Sequence, residues 1–110
     1  MAFDALEVSL HLATTLRAPL DQLRSHDKDL ADQARRAITS VALNISEGRE
    51  RSGRDRLPLF RIASGSLSEA RTALRIAQAW GYLDQTPIDS AYMLIDRLAA
   101  MLWRLTRSCR

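Results

Sequence analysis

The chain of 110 residues is short of the residues that staple or punctuate a fold: one cysteine, four glycines and three prolines. Cys109 has no second thiol, which excludes an internal disulfide and a multi-cysteine metal site, and a reducing, cytoplasmic setting fits. Few turn residues and few β-branched runs, against abundant Ala, Leu, Arg and Gln, favour long helices. No uncharged apolar run approaches the roughly 18 residues of a membrane span, so no membrane partner is expected. Asp4 and Glu7 stand where a secretory signal would be basic and then apolar. The only histidines are His11 and His26; no His-x-x-x-His or Glu-x-x-His pair, Gly-rich phosphate loop or nucleophile elbow is present. The sequence therefore offers no catalytic residues, no metal ligands and no cofactor motif. An RNA-cleaving enzyme would need a general base, and His26 follows Arg24 at the wrong spacing to supply one.

What is there describes one folded domain over residues 1–110, 46% hydrophobic and 26% charged. The formal net charge is +3 and the pI about 9.7, and every basic residue except Lys28 is arginine. Arginine suits bidentate phosphate and carboxylate contacts. GC-rich coding produces the same bias, and both explanations stay open.

Four segments carry apolar residues at steps of three and four, the signature of amphipathic helices. The first spans about Asp4 to Arg24 through Leu6, Leu10, Ala13, Leu16, Leu20 and Leu23, with a kink or break expected at Pro19. The second spans about Lys28 to Glu47 through Leu30, Ala34, Ala37, Val41 and Ile45. Asp27, Asp29 and Asp32 lie near its start, and Gly48 is expected just past its end. The third spans about Arg54 to Trp80. Ser52 to Asp55 has the form of a capping box, Pro58 lies near the start, and Gly81 ends it. Its seam, Phe60, Ala63, Leu67, Ala70, Leu74 and Ala77, alternates large and small. The fourth spans about Pro87 to Thr106, with Thr86 as N-cap and Asp89 completing a box. Its seam is Ile88, Ala91, Ile95, Leu98, Leu102 and Leu105. Four helices on short connections predict an all-α, antiparallel up-and-down four-helix bundle.

That topology sorts the charges. One end gathers Arg49, Arg51, Arg54, Arg56, Arg104, Arg107 and Arg110, mixed with Asp4, Glu7, Glu47, Glu50 and Asp55. The other gathers Asp21, Asp27, Asp29, Asp32, Asp84 and Asp89 against Arg24 and Lys28. A basic end can focus a phosphate backbone; on charge alone, a solvated surface with internal ion pairs explains it as well. A second apolar line, Ile62, Ala73, Ile76 and Trp80, and the off-seam Tyr92, Ala99 and Trp103 leave surface for self-association, with Ile76, Trp80 and Trp103 as interface residues. A broad core stripe is the alternative.

The motifs QARRA (Gln33–Ala37), SVALNISEG (Ser40–Gly48), Arg51, FRIASGSLSE (Phe60–Glu69) and GYL (Gly81–Leu83), in this order, resemble the four-helix-bundle proteins encoded in intervening sequences of bacterial 23S ribosomal RNA genes, the ribosomal S23-like family. The resemblance implies the up-down bundle, a ring-like homopentamer, RNA binding and no catalytic residues. Similar bundles serve as accessory proteins of diversity-generating retroelements, where a basic pentameric barrel binds nucleic acid and the reverse transcriptase. The chain departs from the family in its first helix, where Phe3 stands in for a tryptophan and SHDKD (Ser25–Asp29) replaces a Phe-Pro turn. Ala42 stands where the family often has proline or a small polar residue.

Within the motifs, counting outward from the turn near Glu50–Arg51 predicts structural roles. Arg36 pairs with Glu69, assisted by Gln33, beside Ser66, and Gly65 lets two backbones approach. Asn44 bonds backbone groups of the turn, because an unpaired buried amide costs on the order of 1–3 kcal/mol. Glu47 receives Arg51 or Arg54. The expected function is a non-enzymatic homo-oligomer, pentamer favoured, that binds RNA or DNA through Arg49, Arg51, Arg54, Arg56, Arg104 and Arg107. The alternative is a protein scaffold or accessory subunit, for example of a reverse transcriptase, that makes no direct contact with nucleic acid.

Overall fold

Asp4 starts the first helix. Its backbone is extended and its carboxylate accepts the Glu7 N–H at 2.9 Å, which satisfies a donor that a helix start leaves open. In the computed structural model, which describes residues 4–109, helix α1 then runs Ala5–Thr15. It is followed by α2 (Arg17–His26), α3 (Lys28–Glu50), a short 3₁₀ turn (Gly53–Arg56), α4 (Leu57–Ala79) and α5 (Gln85–Ser108). Phe3 and Arg110, both used in the sequence reading, lie outside the described residues, as do the side chains of Thr86 and Pro87.

The first segment breaks as expected, but at Leu16 and not at Pro19 itself. A proline ring clashes with the carbonyl four residues back, here that of Thr15, the last residue of α1. The helix therefore ends ahead of the proline. Pro19 falls in the first turn of α2, where its missing N–H costs nothing, and the ladder continues with Leu20 N–H donating to Leu16 O at 2.9 Å. One residue joins α2 to α3. Asp27 N–H donates to Leu23 O at 2.8 Å, while its carboxylate accepts Leu30 N–H at 3.0 Å.

Three boundaries differ from the periodic reading. Helix α3 runs through Gly48 to Glu50, so Gly48 does not stop it. The glycine is buried inside the helix, and a Cβ there would lie 2.6 Å from Cε1 of the Phe60 ring. The phenyl ring has taken the space of the side chain. The Ser52–Asp55 capping box does not form: Ser52 makes no side-chain cap bond, and Asp55 N–H reaches the Ser52 carbonyl instead, at 3.3 Å. Gly53, at φ 59, turns the chain there. Helix α5 is already helical at Gln85, ahead of the expected cap at Thr86, and Asp89 accepts from Gln85 Nε2 at 2.9 Å. Gly81 does end α4. At φ 78 its N–H donates to Gln78 O, and Tyr82 N–H to Ala77 O, at 2.9 and 2.8 Å, the paired bonds of a Schellman stop.

The seams predicted for the last three segments supply most of the core, but that of the first does so only in part: Leu10 is 47% exposed and Ala13 is exposed, and Ala5, Val8 and Leu12 turn inward in their place. Val41, Ala63, Leu74, Ile88, Ile95, Leu98 and Leu102 are fully buried. Helices α3 and α4 pack most extensively, with Ala34, Ala37 and Gly48 facing a seam that carries Ala63, Ala70 and Ala77. Small side chains let the two rods close together, and the large residues between them interdigitate. Helix α5 packs on α4 and α1, α2 on α3, and α1 on α3. The result is all-α with bundle-like packing, 43 × 28 × 18 Å. Among the described residues no helix is long and apolar enough to cross a membrane.

Candidate nucleic-acid interface

Two contacts define the arginine-bearing end. An ion pair of 3.2 Å joins Asp4, at the start of α1, to Arg49, in the last turn of α3. A surface groove brings Leu57, the first residue of α4, together with Arg107, in the last turn of α5. Arg49 and Arg51 thus come from the end of α3, Arg54 and Arg56 from the 3₁₀ turn, and Arg104 and Arg107 from the end of α5.

These arginines are not equivalent. Arg51 holds Glu47 at 3.0 Å, as expected, and Arg49 holds Asp4. Both pairs are about half exposed, so each contributes at most about 1 kcal/mol and leaves the guanidinium free to exchange its carboxylate for a phosphate. Arg56 donates from Nε to Gly53 O at 3.2 Å and so braces the turn. Arg54 and Arg104 form no ion pair among the described residues. Arg107 lies 4.5 Å over the Trp103 ring. The opposite end is closed by His26 stacked on Tyr82 at 5.0 Å and by Gln22 Nε2 donating to Asp84 at 3.3 Å.

The motif residues act differently from expectation. Asn44 does not reach the turn. Its Nδ2 donates back one helical turn, to Ser40 O at 2.9 Å and Ser40 Oγ at 3.2 Å, and Ser40 Oγ shares a 2.8 Å hydrogen bond with Ser66 Oγ on α4. A half-buried amide finds partners within its own helix because the helical carbonyl one turn back is the nearest acceptor. Arg36 and Glu69 form no ion pair among the described residues; both are exposed, as is Gln33, and the side-chain bond that joins the helices nearby is that of Ser40 and Ser66. Gly65 is exposed, and a Cβ on it would meet nothing within 4 Å, so no backbone of this chain approaches it.

Ile76 and Trp80 share the outer face of α4 with Ile62, at 41%, 68% and 50% exposure. Trp103 does not join them. It lies in the groove beside Leu57 and Arg61 at the start of α4, whereas Trp80 caps the far end of that helix, roughly 30 Å away.

Sequence reasoning missed Arg61 and Arg71. Both line the α4–α5 groove, and Arg71 is paired with Asp96 of α5. The signal was present: Leu57, Arg61, Ser64, Ser68 and Arg71 recur at steps of three and four along one flank of α4. Farther along the same flank, the Tyr92 hydroxyl donates to Gln78, and burial pushes the phenol above its ordinary 10.0 while Arg75 and Arg71 oppose the rise. Among the described residues, no three His, Cys, Asp or Glu side chains gather where they could hold a metal ion.

The molecule is all-α with bundle-like packing, and arginines from three of its elements lie toward one end. The chain belongs to the 23S rRNA-intervening sequence protein family, whose model matches residues 3–104. No curated protein matches it.

Proposed function

We propose that this protein is a non-enzymatic homo-oligomer that binds nucleic acid through its arginine-rich end. The observation that carries the reading is the convergence of Arg49, Arg51, Arg54, Arg56, Arg104 and Arg107 from three separate elements on one end of the molecule. A cluster of this kind neutralises phosphates and releases counterions.

In this reading α1 and α2 act as one broken rod, and the four rods form an antiparallel up-and-down bundle. Copies associate through the outer face of α4, and five is the number the family implies. Two features support self-association there. Ile62, Ile76 and Trp80 are exposed along a line, and Gly65 sits among them in mid-helix. An exposed mid-helix glycine costs roughly 0.5–1 kcal/mol relative to alanine. No contact within the chain explains it, and a backbone approaching from a second copy does. The same line is what supports the alternative of a scaffold or accessory subunit.

The test is fluorescence anisotropy with a blunt-ended RNA duplex across a salt series. Six phosphate contacts predict a loss of about 10³-fold in affinity between about 50 and about 200 mM salt. Reversing Arg49, Arg51, Arg54 and Arg56 to glutamate should abolish binding while leaving the helical signal intact. Affinity indifferent to salt, or surviving the reversal, defeats the proposal. A protein partner retained after nuclease treatment, with no RNA affinity, establishes the alternative.

A further inference from the structure

The flank of α4 that faces α5 carries arginines that the end does not use. Arg61, Ser64, Ser68 and Arg71 form one wall of a groove of about 520 Å³, and Trp103 and Arg107 stand on the other. None of the residues lining it is a carboxylate. The groove therefore offers guanidinium groups, hydroxyls and an indole, and Asp96 at its margin is paired with Arg71. Its volume lies within the roughly 300–1,000 Å³ of clefts that hold small organic ligands. Trp103 keeps 60% of its surface exposed although Arg107 lies over its ring.

Charge and shape select the occupant. Arg61 and Arg107, which form no ion pair among the described residues, call for an anion, and an exposed indole beside them calls for a flat apolar face attached to that anion. Unpaired nucleotides combine the two, since every base has a π-face and every link a phosphate. A duplex hides its bases in its own stack and cannot use the indole. We infer that the α4–α5 groove takes unpaired nucleotides of a single strand, with a base stacked on Trp103, the flanking phosphates held by Arg61 and Arg107, and the Ser64 and Ser68 hydroxyls donating to phosphate or sugar oxygens. This deepens the nucleic-acid reading above and rests on it. The end grips the backbone of structured segments, and the groove captures a loop or a free end.

The test uses the full chain with Trp80→Phe, so that fluorescence reports Trp103 alone. The probes are an oligouridylate and an oligodeoxythymidylate of about ten residues, and an RNA duplex. Single strands should quench Trp103 saturably. By anisotropy with labelled strands, Arg61→Glu and Trp103→Ala should each weaken single-strand binding at least about tenfold, the scale of one lost stack or phosphate contact. Trp103→Phe should retain it within about twofold, and duplex affinity should not move. Arg49→Glu with Arg51→Glu should do the reverse. Both groove positions are solvent-exposed, and circular dichroism checks that the variants fold. Single-strand binding unchanged in Arg61→Glu and Trp103→Ala overturns the inference. So does a loss accompanied by a fall in assembled mass, which puts Trp103 between copies, or competition by polyglutamate as strong as by the oligonucleotide, which makes the groove an acidic-protein dock. If duplex binds and single strands do not, the groove alone fails; if neither binds, the nucleic-acid reading fails with it.

Discussion

Gly48 and Gly65 have the same local chemistry and opposite surroundings. At Gly48 a Cβ would stand 2.6 Å from the Phe60 ring, whose residue is only 2% exposed and has nowhere to move. Overpacking of this kind costs about 1–3 kcal/mol, offset by the roughly 0.5–1 kcal/mol that alanine gains over glycine in a helix. Gly48→Ala should therefore destabilise by about 1–2 kcal/mol and lower Tm by several degrees, and Phe60→Leu in the same chain should remove most of that extra cost. Gly65→Ala, facing open space, should raise Tm of the dissociated chain by up to about 1 kcal/mol equivalent. Thermal melts at low protein concentration check both, and a destabilised Gly65→Ala would show an intrachain neighbour. Tyr92 carries a pH signature. Burial raises its folded-state pKa above 10.0, so the stability linked to the neutral phenol is present below 10.0 and is lost as pH rises through the raised value. Tyr92→Phe should flatten the alkaline limb of the stability curve, at a cost of about 0.5–1.5 kcal/mol near neutrality for the lost bond to Gln78.

At the level of elements, the seams of the last three segments were legible and most of the ends were not, Gly81 being the exception. Periodicity is a sum over many residues, so Phe60 to Ala77 and Ile88 to Leu102 identify their helices whatever one position does. A boundary rests on one or two groups. Gly48 looks like a stop until Phe60, twelve positions on, is known to lie against it. Asp27, one of three acids near the start of its helix, proves to be a cap, and Ser52, which has the form of one, does not. The Asp27 carboxylate accepts Leu30 N–H at 3.0 Å, whereas Ser52 makes no side-chain cap bond. Asp27→Ala should cost about 0.5–2 kcal/mol and loosen the α2–α3 joint, and Ser52→Ala should lie within about 0.5 kcal/mol of the parent. Urea denaturation of the two variants makes the comparison. Equal effects would mean that the serine hydroxyl caps in solution after all.

At the scale of the whole molecule, the arginine end is an expectation that needs only the order of the helices, and the Asp4–Arg49 ion pair joins two of the ends it brings together. The groove was hidden for the opposite reason. Arg61 and Arg71 sit on a mid-helix flank, and only the packing of α4 on α5 gives that flank a facing wall with Trp103 in it. The two surfaces of α4 should respond to solvent in opposite ways. Contacts of arginines with phosphates weaken with salt, whereas association through Ile62, Ile76 and Trp80 buries apolar area, which salt does not screen. Light scattering behind size exclusion should therefore give the same assembled mass at about 0.1 M and about 1 M salt, while RNA affinity collapses over that range. Ile76→Asp puts a charge in the middle of the line and should reduce the mass to that of one chain with the helical signal preserved. An assembly that instead dissolves in salt and survives Ile76→Asp is held by its oppositely charged ends, with the basic end of one copy on the acidic end of the next. In that case the arginines proposed to meet phosphate are already occupied by Asp and Glu of a neighbour.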